Sequence, residues 1–312
     1  MSIIEKLTSL LFIEKKVTSL ICSLFYSKIK SESFLPLWSD IFEMCQNELS
    51  QENVSIEKVD IVIENVNYLS IRIKNFFGNH PISSDFLEQF NEITSPFLNI
   101  ELMTSPNGLK ILQNSIKSIV NLLSRTQSTE SNEFVKQRLC ELCQFFIQIF
   151  EGIKSISEFN DQHLNFFKSC SQEIQSIITS SYNCLEHENE MDDYLKYILN
   201  EWQPQILTIL YELGLAIFNA DPGKQYEVSR IIQPLTIYGG TNDIIQTIFI
   251  SGIHFLEIQE DDLYDFFYNP ELFYQNQYCM YSNEVNNLRM NTILIYQNIF
   301  EHLDKIQIDY LF

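Results

Sequence analysis

Apolar residues recur along most of this chain at intervals of three and four, the spacing that lines one face of an α-helix. Leu109, Leu112, Ile116, Ile119, Val120 and Leu123 form one such stripe, and Phe134, Val135, Leu139, Leu142, Phe145, Phe146, Ile149 and Phe150 form another. A third runs through Leu195, Ile198, Leu199, Ile206, Leu207, Leu210 and Leu213. Stripes this wide imply helices covered by neighbours on more than one side. The pattern predicts helices over 35–49, 54–76, 84–101, 107–124, 132–153, 160–186, 190–219, 223–237, 241–258 and 284–303, with a break near Trp202 and Pro204. Turn-forming residues separate them: 77–81, 105–108, 124–131, 221–223 and the Gly239-Gly240 pair.

Ahead of these, Ile3, Ile4, Leu7, Leu10 and Leu11, then Val17, Leu20, Ile21, Leu24 and Phe25, predict two short amphipathic helices interrupted by Glu14, Lys15 and Lys16. No uninterrupted apolar run reaches the roughly 18 residues that a membrane span needs, so no membrane insertion is expected. Nor does a small-residue cleavage site follow a signal-like core.

The 312 residues are 45% hydrophobic, enough for a folded core, while 8 Gly and 8 Pro are too few punctuators for an all-β chain. Paired helices returning at very roughly 40 to 45 residues point to an all-α fold, an α-solenoid of HEAT-like antiparallel pairs. A globular helical bundle is the second choice. No linker divides the chain, so 1–312 is expected to be a single continuous array.

Charge narrows the partners. A formal net charge of −21 leaves no basic face for phosphate neutralisation, so direct nucleic-acid binding is not expected, whereas basic partners are favoured. Acid concentrates at 186–193 and 257–265. The 7 cysteines are odd in number and scattered, which is no disulfide framework and suits a reducing compartment. Cys140 and Cys143 have CxxC spacing but sit mid-stripe with no second ligand pair, so they are expected to fill core.

Catalytic signatures are absent: there is no GxGxxG, Walker loop, HExxH or GxSxG. The five histidines, His80, His163, His187, His254 and His302, lie far apart. His187 among Glu186, Glu188 and Glu190 reads as a solvated acidic loop, and His254 as a half-buried packing residue. No enzyme, metal or cofactor is expected.

One stretch departs from the repetitive pattern. From Glu257 acid residues interleave with aromatics: Asp261, Asp262 and Asp265 alternate with Leu263, Tyr264, Phe266 and Phe267. The expectation is a packed inter-helix loop over 257–283, aromatics inward and carboxylates in water, with Tyr264 and Phe273 as its anchors. Asn269-Pro270 is a turn signal, because proline suits the first turn of a helix and disfavours helix at the residue before it. Glu271, Leu272, Phe273 and Tyr274 are then expected to form one helical turn. A polar connector leads to a last helix that opens near Arg289, with Ile293 and Leu294 behind it.

These residues resemble a segment of the importin-β (karyopherin) superfamily of nuclear transport receptors, of the importin-7/8/9 or CAS type. Glu260, Asp261, Asp262, Leu263 and Tyr264 resemble its acidic-aromatic part, with Asp265 counted in the motif and Tyr264 standing where tryptophan or phenylalanine is usual; Asn269, Pro270, Glu271 and Phe273 resemble its Asp-Pro-x-Glu-Phe/Tyr-Ile-like turn, and Arg289 with Ile293 and Leu294 the start of its next helix. Asn269 stands where the family has aspartate, Leu272 alters the turn, and Met290, Asn291 and Thr292 stand where alanines are usual. The resemblance spans about forty residues and implies the N-terminal part of a longer receptor. It further implies Ran GTPase, basic cargo proteins and Phe-Gly nucleoporins as partners, with traffic between cytoplasm and nucleus. A generic HEAT scaffold or regulatory subunit is the alternative, and a helical-bundle enzyme a more distant one.

Overall fold

The structure, a computed structural model, describes residues 35–51, 54–77, 84–126, 133–153, 159–187, 193–237, 242–257, 260–273 and 288–302. The two helices expected before residue 26, the breaks at 78–81 and Gly239-Gly240, most of the acidic run 186–193 and the connector 274–287 lie outside these residues. Among the described residues every regular element is helical, and there is no strand.

The chain divides into two compact units, Met1–Phe145 and Phe146–Phe312. The boundary falls inside a helix rather than in a linker. The first unit holds α1 (Leu35–Leu49), α2 (Ile56–Phe77), α3 (Ser84–Thr94), α4 (Pro106–Thr126) and the opening of α5 (Glu133–Ile153).

The helix expected over 84–101 ends at Thr94, and two caps follow, one at Asn99 inside that stretch and one at the expected breaker Ser105. The Asn99 Oδ1 accepts from the Glu101 N–H at 2.9 Å, and Ser105 Oγ accepts from the Gly108 N–H at 3.1 Å, each satisfying a donor that a helix start leaves open. Pro106 takes the first helical position, where its missing N–H costs nothing. Gly108 is therefore not a break but part of the first turn of α4. A Cβ there would lie 2.1 Å from the Leu102 carbonyl oxygen, so only glycine lets α4 start against the preceding turn, Ile100–Thr104.

Helix pairing in this unit skips one neighbour. Helices α2 and α4 run side by side in the same direction: Asp60 pairs with Lys110, Asn67 with Asn114 and Ser70 with Asn121, separations of 50, 47 and 51 residues. Lys110 also reaches Glu64 at 3.6 Å. Burial pulls the Lys110 ammonium toward its neutral form, but Asp60 and then Glu64 outweigh it and hold its pKa above the ordinary value. Helices α1 and α3 repeat the arrangement. Gln46 donates to Glu92 across 46 positions, and the Phe42 and Phe90 rings meet edge to face at 5.6 Å. Parallel contact at nearly constant separation means that the pair α1–α2 is followed by the pair α3–α4 in the same orientation.

The second unit holds the rest of α5, then α6 (Asp161–His187), α7 (Asp193–Lys196), α8 (Gln203–Ala220), α9 (Gln225–Ile232), α10 (Asn242–Leu256), α11 (Glu260–Tyr268) and α12 (Leu288–His302). Its core is aromatic: Trp202 is buried against Phe146 at 6.4 Å, and Phe150 meets Phe167 at 6.0 Å. The break expected near Trp202 and Pro204 is instead a π-helical turn, Tyr197–Trp202. Proline has no N–H to donate into the ladder, and widening the preceding turn lets the Gln203 N–H reach the Ile198 carbonyl. The helix path therefore continues with Trp202 still facing inward.

Helices α8 and α10 meet through Tyr211, Phe218 and Phe255. Gly252 brings α10 against α12, since a Cβ there would stand 2.6 Å from the Tyr296 hydroxyl oxygen. Helix α12 is tied to α9 by Asn291, whose buried amide donates to the Ser229 carbonyl at 2.9 Å and to Ser229 Oγ at 2.6 Å.

Candidate functional site

The stretch that the sequence singles out is helical over Glu260–Tyr268 and again over 270–273, rather than a loop. Asn269 joins the two pieces. Its N–H donates to the Asp265 carbonyl at 2.8 Å, closing α11, and its own carbonyl accepts from the Phe273 N–H at 3.0 Å, opening the next turn. Its side-chain amide donates to Asp265 Oδ1 at 3.2 Å. An ionised aspartate at this position would have no donor for Asp265 and would repel it, which asparagine avoids. Pro270 opens the second piece as expected, with its missing N–H at a position that needs none.

The aromatic residues do not fold inward. Phe267 is 72% exposed, Tyr268 71% and Tyr264 59%, and Leu263, Phe266 and Leu272 are exposed as well. Tyr264 is therefore no anchor: its ring lies over that of Tyr268, one turn on, with centroids 4.7 Å apart. Phe273 is half-buried, and its ring contact is with the exposed Phe266 at 5.2 Å. Asp265, expected in water, is half-buried, while Glu260 and Glu271 are exposed. The backbone positions of Asp261 and Asp262 belong to the first turns of α11.

Composition contained a signal for this outcome. Five of the nine residues of α11 are aromatic or leucine, at positions 263, 264, 266, 267 and 268, which spread around more than half of the helix circumference. One neighbouring surface cannot cover them all, and α11 packs extensively on no other described helix.

Arg289 lies at the root of this segment. Its guanidinium donates to the Glu257 carbonyl at 2.8 Å, just past the last residue of α10. A cation at a helix C-terminus satisfies an open carbonyl and complements the helix dipole. Glu257, where the acidic-aromatic stretch opens, and Arg289, near the start of the last helix, are thus brought together across 32 residues.

Of the remaining candidates, His254 lies beside this root. Cys143 is buried mid-helix, and burial followed by the neighbouring Cys140 pushes its thiol well above the ordinary range, which suits packing rather than nucleophilic work. His254 is exposed rather than half-buried, with Nδ1 3.5 Å from Glu257 Oε1. His163 is half-buried, stacked on Phe167. The side chains around His187 lie outside the described residues. Among the described residues no three His, Cys, Asp or Glu side chains are grouped to hold a metal ion, and no helix is long and apolar enough to cross a membrane.

What the acidic helix presents is a set of aromatic faces and carboxylates side by side, groups that take apolar surface and cations respectively. Compared with family models, curated proteins and solved structures, the chain matches none.

Proposed function

We propose that this chain is a protein-binding array of stacked helix pairs, working as a nuclear transport receptor of the importin-β kind. The observation that carries the reading is the repeated parallel placement of α3 on α1 and α4 on α2, 46 to 51 residues apart, the step by which helical-repeat arrays extend. A net charge of −21 adds attraction for basic cargo. On this reading the chain binds Ran GTPase and basic cargo, passes Phe-Gly nucleoporins and moves between cytoplasm and nucleus. Arg289 and the Asn269-Pro270 turn serve as structure, and the carboxylates of Asp261, Asp262 and Asp265 supply attraction for cargo.

Pull-down of the chain by Ran loaded with GTP, set against the GDP form, tests it. Selective capture by the GTP form supports transport, and equal capture or none removes it. The second reading, a HEAT-type scaffold without Ran, is favoured by one observation: Asn291, where the family has alanine, is committed to Ser229 in the core. It keeps the array and the basic partner but predicts no dependence on nucleotide.

A further inference from the structure

We infer that the exposed face of α11 that carries Tyr264, Phe267 and Tyr268 is a docking surface for a basic amphipathic helix of a partner protein, with those rings as its principal contact and the carboxylates as its rim. The inference rests on the reading of this chain as a protein-binding array and names the kind of segment that one part of it takes.

Exposure is concentrated on this helix and the turn that follows it. Six exposed large apolar side chains come from the ten residues 263–272, against eight in all the other described residues. A contiguous cluster of this kind marks an interaction site, because scattered exposed apolar groups are ordinary but clustered ones are costly in water. The rings are already ordered against one another, Tyr264 on Tyr268 and Phe266 between Phe267 and Phe273, so docking has little side-chain freedom left to remove.

Charge selects the occupant. Residues 260–273 carry five acids and no lysine or arginine. A second copy docking through the same face would set like charges opposite each other, and a nucleic acid or an anionic lipid surface would be repelled. A partner must therefore offer apolar side chains to the rings and cations to the carboxylates. One amphipathic helix with lysine or arginine beside its apolar stripe does both, and those cations can also lie over the exposed ring faces.

The test uses the full chain and a synthetic amphipathic peptide of about 18 residues, leucine on one face and lysine on the other, together with a scramble of the same composition and a glutamate-for-lysine version. Calorimetric titration should show the amphipathic basic peptide binding roughly tenfold or more tighter than the scramble, with no binding of the acidic one. Joint substitution of Phe267→Ala and Tyr268→Ala should abolish that preference while the circular dichroism spectrum stays unchanged. Equal binding of peptide and scramble, or an unaltered preference in the variant, would overturn the docking surface while leaving charge-driven cargo binding and the Ran result untouched. Self-association that the double substitution reverses would name a second copy as the occupant and overturn it as well. Loss of GTP-selective Ran capture with the peptide preference intact would remove the transport reading and leave the docking surface in place.

Discussion

Helices α5 and α11 are both rich in aromatic residues, yet one is core and the other surface. In α5 the rings of Phe145, Phe146 and Phe150 recur at helical spacing, and Phe146 is 0% exposed against Trp202. In α11 four aromatics and a leucine among nine residues spread around more than half of the helix, so any neighbour that covers some must leave others in water. The difference is one of arrangement rather than content. A ring count says how much apolar surface exists, whereas its spacing says whether one partner can bury it.

Truncating the two helices separates them most sharply. Phe146→Ala should destabilise the chain by about 3 to 5 kcal/mol in urea denaturation, the usual cost of emptying a buried aromatic site. Phe267→Ala should stay within roughly 0.5 kcal/mol of the native chain. Comparable losses at the two positions would mean that α11 is covered after all, and the contrast would fail.

A smaller effect comes from the polar bond that seats α12. Asn291→Ala should cost about 1 to 3 kcal/mol, because the Ser229 hydroxyl loses its buried partner, and the melting temperature should fall accordingly. An unchanged melting temperature would show that α12 is held by its apolar contacts alone.

Alkaline titration probes burial from another side. Burial pushes the Tyr296 hydroxyl from its ordinary 10.0 up to about 12, and burial together with Tyr296 raises Tyr211 further still. A raised folded-state pKa means the folded chain holds its proton more tightly than the unfolded one. The stabilisation is thus complete below pH 10.0 and is lost as pH rises through the folded value of about 12. Urea midpoints should decline through that window, and Tyr296→Phe should flatten the decline. An equally steep decline in the variant would put the effect elsewhere.

The smallest effect is expected at the Lys224–Asp161 pair, 2.9 Å apart between α6 and the turn before α9. Lys224, first through its hydrogen bond and then through its charge, holds the Asp161 carboxyl below its ordinary pKa. Stability from this pair is therefore present at neutral pH and lost as pH falls through that depressed value. Since Asp161 is exposed, Asp161→Asn should leave the melting temperature unchanged within error, above all at high salt.

Much of this architecture is legible in the residues alone. Helix existence follows from apolar period and breaker position: the stretch expected over 35–49 is α1 residue for residue, and 132–153 and 160–186 differ from α5 and α6 by one position at each displaced end. Breakers are less legible than stripes. At Ser105 the chain does break, in an extended residue, and Pro106 to Gly108 already belong to α4, whereas Trp202 to Pro204 is punctuation in the sequence that a π-turn carries the helix through. The cap at Ser105 and the π-turn both depend on a specific backbone donor finding an acceptor, which spacing does not encode.

The acidic-aromatic stretch marks the limit of that legibility. Its residue types named the place, and Asn269-Pro270 named the turn, because both are local properties of the chain. Helix formation, helix ends and charge are local in the same way, and the sequence by itself determined them. Whether Tyr264 and Phe267 face core or water, the bond from position 269 to Asp265, and the separation of 46 to 51 residues between stacked helices were decided only by the tertiary structure. Burial depends on how many neighbouring surfaces reach a helix, and register depends on which polar groups meet across it, quantities that exist only between distant segments.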